Sequence, residues 1–352
     1  MKKNLILAVS AIFVIQACKK EVPPSTSNTD VQAKVLGDLS TEIYLNSYAT
    51  LETRTSKLLS DVQLFIANPD DTKLDVCKQD WKSSREVWEN SEAWLFGPVS
   101  TESIDPRIDT WPVDFVRLDS ILNSSNTLTA SYINNLEESL KGFHPIEYML
   151  FGLDGKKKAS QFTDRQKEYL LALCQNLNTL TTELHTSWNT SGGDYTNEVT
   201  NAGKTVAYPT KLSAYEEIVN SMIGICDEVA NGKIGEVFTN LDSMGEESPF
   251  AKNSMVDFTN NIKGVKNVYL GTFDNKDVYG LEDFVRSHNL SLDGRIKQKA
   301  DLALAALAQV TDPFGKAIFT QPIQVQAAID AINSLKDELE TGLLPLVQLQ
   351  VK

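Results

Sequence analysis

Residues 142–152 of this 352-residue chain read GFHPIEYMLFG and contain one of its three histidines. Glu147 follows His144 by three residues, and residues at this spacing share a face of a helix. Imidazole and carboxylate groups are both good ligands for iron and zinc. Di-iron bundle proteins place a related Glu-x-x-His pair in a helical core. Here the order is reversed and the pair occurs once, so the spacing permits a metal site on a predicted helix.

The same stretch also fits an ordinary helix start. Pro145 suits the first position of a helix. This would make His144 the N-cap and Glu147 the N3 residue of a capping arrangement. Histidine is not a favoured cap, so this interpretation explains the glutamate better than the histidine. The residues alone leave both interpretations open.

A helix predicted over residues 73–95 carries charged residues on its apolar face. A single stripe, with spacings of four, three, four and three, contains Trp81, Arg85, Trp88, Glu92 and Leu95. Burying an unpaired charge is costly, so Arg85 and Glu92 are expected to pair or to bind something. We predict Glu92 as a further metal ligand and Arg85 as its neighbour. The alternative is a structural ion pair with partners elsewhere, while Glu89 is expected to point away.

The segment 101–114 is rich in Pro, Asp and Ser and is predicted to be an irregular loop. Asp109 and Trp111 are candidate site residues here, because loops held by a rigid scaffold often carry function. The alternative is that the aspartates of this segment cap helices and turns.

The remaining pattern is helical throughout. A clean apolar stripe predicts a helix over residues 163–188, Ser191-Gly192-Gly193-Asp194 predicts a domain boundary, and further helical stripes follow from Tyr195. No segment alternates apolar and polar residues for long enough to require a sheet. We therefore predict an all-α fold of two packed helical bundles, residues 36–190 and 195–352.

Composition limits the function. The formal net charge of −14 argues against nucleic-acid binding, which needs a basic surface, and an acidic surface attracts cations. Of four cysteines, Cys77, Cys174 and Cys226 lie in the predicted helical part of the chain. They allow one disulfide with one free thiol, or three buried thiols, and the apolar surroundings of Cys174 and Cys226 favour buried thiols.

The N-terminus is predicted to be a targeting segment. Lys2 and Lys3 precede an apolar run that is too short to span a bilayer, which indicates a signal peptide over residues 1–17. The sequence before Cys18 resembles a bacterial lipobox, so Cys18 is expected to be lipidated; a plain secretory signal is the alternative. Residues 18–35 are predicted to form a flexible tether. The expected location is the cell envelope, anchored by lipid to the outer membrane and facing the periplasm or the cell surface.

Several blocks resemble the imelysin family of bacterial envelope proteins. The segment 142–147 resembles its Gly-x-His-x-x-Glu signature, and further blocks agree in order: residues 81–98, residues 108–114, residues 248–271 and the helical end at residues 324–346. This resemblance covers almost the whole mature chain. It implies a fold of two helical bundles, with Asp109 and Trp111 at patterned positions. Asp257 is a candidate contribution from the second bundle to a site between the two.

The resemblance implies two activities, binding of iron in an uptake role and peptidase activity. His144, Glu147 and Glu92 are the predicted metal ligands, with iron favoured and zinc as the alternative, and with other envelope iron-uptake components as partners. In a metallopeptidase Glu147 would be the catalytic base, but the chain has neither a His-Glu-x-x-His helix nor a Gly-x-Ser-x-Gly elbow. A lipoprotein that binds a peptide or another ligand without metal is the third interpretation.

Overall fold

The computed structural model describes residues 28–352, with side chains described from residue 31. The predicted signal peptide, Cys18 and most of the predicted tether lie outside these residues. In the first half the α-helices are α1 (Asn28–Asp38), α2 (Leu45–Ala67), α3 (Asp71–Ser91), α4 (Pro98–Thr101), α5 (Ile104–Asp109), α6 (Phe115–Leu122), α7 (Ala130–Asn134), α8 (Phe143–Phe151) and α9 (Asp164–Trp188). A π-helical segment, Leu39–Tyr44, joins α1 to α2, and short 3-10 turns occupy Glu92–Trp94, Glu138–Leu140 and Ala159–Gln161.

The second half also consists almost entirely of helices. Its α-helices are α10 (Tyr195–Thr200), α11 (Lys211–Asp227), α12 (Val237–Asn240), α13 (Ser254–Leu270), α14 (Leu281–His288), α15 (Leu290–Leu307), α16 (Phe314–Thr320), α17 (Pro322–Glu338) and α18 (Leu344–Gln350). Two π-helical segments, Glu228–Glu236 and Leu339–Leu343, continue α11 and α17. A hairpin of two-residue strands, β1 (Thr272–Phe273) and β2 (Lys276–Asp277), is the exception in the described chain, and the predicted all-α class is confirmed.

Helices α3 and α13 bring the two halves together. Helix α2 packs against α3 and α9, helix α15 packs against α17, and α13 lies against both α3 and α15. Gly264 on α13 permits the close approach to α3, because a Cβ atom at this position would lie 2.1 Å from the carbonyl oxygen of Asn90. The end of α3 is therefore covered by α2 on one side and by α13 on the other, and every residue from Val87 to Glu92 is buried.

The predicted tether is wrong for its last residues. Helix α1 begins at Asn28, and the side chain of Gln32 is 1% exposed. Gln32 donates through Nε2 to the carbonyl oxygen of Gln350 at 3.0 Å, and its own carbonyl oxygen accepts from the Tyr215 hydroxyl at 3.1 Å. The start of the described chain is thus fixed against its C-terminal end. The predicted division at residues 191–194 falls in the connection between α9 and α10.

The pair Asn231-Gly232 predicts a helix end, because Gly and Asn are typical of the position after the last helical residue. The helix instead continues through this pair as the π-helical segment Glu228–Glu236. Val229, Ala230 and Ile234 are buried on both sides of the glycine. Burial of these side chains outweighs the helix penalty of about 1 kcal/mol that glycine carries. Lys233 lies on the continued helix.

The three cysteines of the described chain are free and buried, which confirms the interpretation as buried thiols. Among residues 28–352, no helix combines the length and the apolarity that crossing a membrane requires.

We expect Gly264→Ala to lower the free energy of unfolding by about 1–3 kcal/mol, because the added methyl group would overlap the Asn90 carbonyl and force α13 away from α3. Gly224→Ala on α11 is the matched control: no heavy atom within residues 28–352 lies within 4 Å of its Cβ position beyond the local helix backbone. It should raise stability by about 0.5–1 kcal/mol, since glycine is a poor helix former. Urea unfolding measures both, and equal effects would contradict this account of the contact.

Candidate functional site

The signature residues lie at the start of α8. Its N-cap is Gly142, so His144 is the second helical residue and not the cap. Gly142 has a φ of +81°, and a Cβ atom there would lie 2.0 Å from the Ile108 carbonyl oxygen. Only glycine allows α8 to begin directly against the end of α5, which places Asp109 beside His144. The side chains of His144 and Glu147 are both fully buried.

The two nitrogens of the His144 ring face different carboxylates. Nε2 lies 3.1 Å from Asp109 Oδ1 and 3.7 Å from Glu247 Oε1, whereas Nδ1 lies 3.8 Å from Glu147 Oε2. Among the described residues, neither nitrogen has an aligned hydrogen-bond partner. The indole of Trp111 packs against the imidazole with the ring centroids 5.0 Å apart. His144 therefore presents two buried ligand atoms to acidic groups.

Glu147 is held from the second half of the chain. Its Oε1 accepts hydrogen bonds from the backbone N–H groups of Phe250 and Ala251, at 2.9 and 2.7 Å. Its Oε2 faces His144 and has no hydrogen-bond partner within residues 31–352. The two backbone donors fix the carboxylate, so Glu147 is placed to orient the His144 ring.

Arg85 is the centre of the buried network. Its guanidinium contacts Glu89 one helical turn later on α3 and Asp109 at the end of α5. It also lies 2.7 Å from Glu247 Oε1 and, through Nε, 4.0 Å from Asp257 Oδ1. The side chain is fully buried, which confirms the expectation that this arginine faces the core and pairs there. One cation thus joins carboxylates from four parts of the chain.

The other oxygen of Asp109 is fixed as well, because Trp88 Nε1 donates to Oδ2 at 2.6 Å. The predicted second-half residue Asp257 reaches the network, held by the Ser248 hydroxyl at 2.6 Å and by Asn253 Nδ2 at 2.7 Å.

Glu92 lies at the opposite end of this cluster, beside Lys233. Its Oε2 is 2.8 Å from Lys233 Nζ and accepts from Asn261 Nδ2 at 2.7 Å. Glu92 is 5% exposed, so its predicted burial is confirmed. Lys233 also lies near the carboxylates of Glu89 and Glu247, at 3.6 and 3.7 Å.

Two groups of side chains have ligand atoms close enough for one metal ion. In the described chain, all ligand atoms of each group lie within 4.8 Å of one another, and the groups are Asp109, His144 and Glu247, and Glu89, Glu92 and Asp109. Asp109 belongs to both. The predicted trio of His144, Glu147 and Glu92 is therefore not brought together at one point. Glu147 faces Nδ1 of the imidazole, on the side away from Asp109, and Glu92 belongs to the second group. Their roles as ligands stay predictions.

Sequence reasoning missed Glu247, Glu89 and Lys233. Glu247 lies in an irregular segment and carries no local signal. Glu89 was expected to point away from the core, but α13 covers this side of α3 and buries it. Its spacing of four residues from Arg85 was the signal that could have identified it. Lys233 was missed because a helix end was predicted at Gly232, which would place Lys233 outside the helix.

Charge lowers the pKa of two carboxyl groups at the centre. Burial raises the pKa of Asp109, but the charges of Arg85 and His144 outweigh it and hold the pKa well below its usual range. Glu247 behaves in the same way, because Lys233 and Arg85 overcome the effect of burial and lower its pKa. Both carboxylates are ionised and available as ligands at neutral pH.

The other carboxyl groups are pushed the opposite way. Burial and the nearby charge of Glu89 raise the pKa of Glu92 and of Asp257 well above the usual range. Burial also raises the pKa of Glu89 and of Glu147, although neighbouring cations partly offset it. Buried carboxylates that lack sufficient counter-charge hold protons.

The site carries more acid than base. Six carboxyl groups (Glu89, Glu92, Asp109, Glu147, Glu247 and Asp257) surround two permanent cations, Arg85 and Lys233. Four negative charges therefore remain if all six ionise, or three if His144 is protonated. Burial makes such an excess unfavourable unless protons or a bound cation neutralise it. The imidazole and carboxylate donors fit a transition-metal ion such as iron or zinc.

Comparisons with known proteins agree with this fold. The family model described as Imelysin matches residues 44–341. Iron-regulated protein A of Synechococcus elongatus is 29% identical over 313 residues, which is 87% of this chain and 84% of that protein.

Two solved structures share the fold. A protein from Parabacteroides distasonis, assigned as an iron-regulated protein A precursor, superposes with a TM-score of 0.81 at 24% identity and covers 94% of this chain and 97% of its own. An imelysin-like protein from Psychrobacter arcticum gives a TM-score of 0.74 at 14% identity, with coverages of 92% and 97%. At these identities the likeness establishes the fold alone.

The pKa of His144 predicts a pH dependence of stability in the metal-free protein. Burial lowers this pKa, but Asp109 and Glu147 outweigh it and raise the pKa to about 9. A raised histidine pKa stabilises the folded state fully below the unfolded value of about 6.5, and this contribution is lost as the pH rises through about 9. The excess stability of wild type over His144→Gln should therefore shrink by about 1–3 kcal/mol between about pH 6 and 9.5.

Urea unfolding at each pH measures this difference, and a difference that is independent of pH would contradict it. An NMR titration provides a direct check, because the imidazole signal that is missing in His144→Gln should titrate with a midpoint near pH 9.

Proposed function

Because the chain belongs to the imelysin family, we propose that it is a cell-envelope lipoprotein that binds a metal ion in an iron-uptake role, with iron as the favoured ion. The observation that carries this proposal is the fully buried His144 ring, whose nitrogens both face carboxylates and have no aligned hydrogen-bond partner among the described residues. A second support is the excess of buried negative charge around it. The name of the Synechococcus relative, iron-regulated protein A, links that protein to iron and favours this metal.

His144 Nε2, Asp109 and Glu247 would hold the ion, since their ligand atoms form one group. Glu147 would accept the Nδ1 proton of His144, which fixes the ring and raises the basicity of the nitrogen that faces the ion. Arg85 would remain the counter-charge of Glu89 and Asp257. The bound ion would supply the positive charge that the cluster lacks, in place of protons.

The metallopeptidase alternative requires that a polypeptide reach Glu147. The side chains of Glu147 and His144 are fully buried, and Glu147 Oε1 is occupied by two backbone N–H groups. A general base must lie within hydrogen-bond reach of the water or substrate that it deprotonates. This conformation therefore favours binding of an ion over hydrolysis of a peptide.

Metal content tests the proposal. After exposure to ferrous, ferric or zinc ions and removal of free metal, wild type should retain about one iron per chain, as expected for a single three-ligand group. His144→Gln and Glu247→Gln should lose it, because each removes a ligand. Glu147→Gln should retain the ligands but bind about 10–100-fold more weakly. His185→Gln is the matched control, since His185 pairs with Glu52 away from the site and should bind like wild type.

The outcomes separate the three interpretations. Preferred zinc, with casein hydrolysis that disappears in His144→Gln and with a chelator, would support the metallopeptidase. No specific metal in any of these proteins would contradict both metal functions and leave a lipoprotein that binds another ligand.

The membrane anchor is a separate part of the proposal and rests on the sequence around Cys18. Cys18→Ser should remove the lipid attachment site and move the protein from the membrane to the soluble fraction of the producing cells. Radiolabelled palmitate should be incorporated into wild type and not into the variant. Equal distribution of both proteins would contradict lipidation at Cys18.

A further inference from the structure

Lys233 occupies a position that suits a small cation. Its Nζ lies 2.8 Å from Glu92 Oε2, 3.6 Å from Glu89 Oε2 and 3.7 Å from Glu247 Oε2. The side chain is 11% exposed, so the ammonium group is largely withdrawn from water. Three carboxylates from two parts of the chain thus surround one lysine.

The same carboxylates are candidate ligands. Glu89 and Glu92 form one group with Asp109, and Glu247 belongs to the group of Asp109 and His144. Lys233 therefore contacts members of both groups. The two oxygens of Glu247 face different groups, Oε1 facing His144 and Oε2 facing Lys233. Because two positive charges repel strongly at short range in a buried site, an ion held by His144, Asp109 and Glu247 and the ammonium group of Lys233 would weaken each other's binding.

A neighbouring amide fixes two of these carboxylates. Asn261 is fully buried, and its Nδ2 donates to Glu89 Oε2 and Glu92 Oε2, each at 2.7 Å. Its Oδ1 is buried and has no hydrogen-bond partner within residues 31–352. Asn261 therefore holds together the two carboxylates that Lys233 contacts most closely.

Lys233 has a fourth carboxylate partner, which lies nearer to solvent. Glu228 Oε1 lies 3.9 Å from Nζ, and the Glu228 side chain is 54% exposed. The two residues are five positions apart on the π-helical segment Glu228–Glu236, where the wider turn places them side by side. The ammonium group can therefore turn toward water and keep a carboxylate partner.

We infer that Lys233 is a built-in competitor of the metal ion: its ammonium group contacts Glu92, Glu89 and Glu247 in the metal-free protein and turns toward Glu228 when a divalent cation binds. This inference rests on the proposed metal-binding function. It adds that the affinity for the metal ion depends on the free energy of displacing the ammonium group of Lys233. Lysine suits this role, because its charge is carried on a flexible four-carbon stem.

Calorimetric titration of the metal-free protein with Mn²⁺, and with Fe²⁺ under anaerobic conditions, tests the competition. Lys233→Met removes the charge and keeps an apolar stem, so it should bind about tenfold or more tightly than wild type. Lys233→Arg keeps the charge and should not gain affinity. Lys266→Met is the matched control, because Lys266 lies on α13 and pairs with exposed Asp301.

Glu228→Gln provides an independent test at an exposed position, where folding is not at risk. It should weaken metal binding severalfold in the wild-type background, because the displaced ammonium group loses its partner. In the Lys233→Met background it should have little effect. If Lys233→Met does not fold, the Glu228→Gln result decides, and unchanged affinity in that variant overturns the inference.

Failure of this inference and of the proposed function give different results. Metal binding by wild type with unchanged or weaker binding by Lys233→Met overturns the competition alone. No binding by wild type or by any variant overturns the proposed function, and the inference with it.

Discussion

The buried guanidinium of Arg85 is the interaction on which the polar site depends. It contacts Glu89 on its own helix, Asp109 at the end of α5 and Glu247 in the connection before α13. A charge withdrawn from water is tolerated only when well-placed partners replace the solvent. Removing one member of such a network leaves the others uncompensated, typically at about 3–5 kcal/mol. The folded positions of these three segments are therefore mutually dependent.

This arrangement explains why the signature residues are buried and yet polar. Gly142 lets α8 begin against α5, which places His144 beside Asp109, while the N–H groups of Phe250 and Ala251 bind Glu147. Both halves of the chain thus contribute to one cluster. The cluster has more carboxylates than permanent cations, so protons or a bound cation must neutralise its excess negative charge. The raised pKa values of Glu92 and Asp257 favour neutralisation by protons in the metal-free protein. In the function that we propose, protons, the ammonium group of Lys233 and a metal ion would compete at one buried location.

Where the sequence predictions failed, tertiary packing outweighed a local preference. The tether was predicted to reach Val35 because its composition is polar, but Gln32 is fixed by the C-terminal helix. Gly232 was predicted to end a helix, but the buried residues on both sides keep the chain helical. Glu89 was placed on the outer face of α3 because a single stripe was taken to be the core side, whereas two helices cover this part of α3. In each case the deciding partner lies far away in sequence.

The sequence by itself determined the helical class, the position of the signature and the burial of Arg85 and Glu92. The period of the apolar residues and the spacing of the charged ones are local properties, and in a helix they determine which side chains share a face. The sequence also contained the means to identify Asp109 and Trp111, because they lie in a block that resembles the family pattern. Only the tertiary structure decided which atoms meet. Glu247 and Lys233 lie more than a hundred residues from Arg85 and carry no motif. They reach the site because α13 packs against α3 and α11 packs against the turn Glu92–Trp94 that follows α3. The ligand groups follow from that packing, since the positions of distant side chains depend on the whole fold.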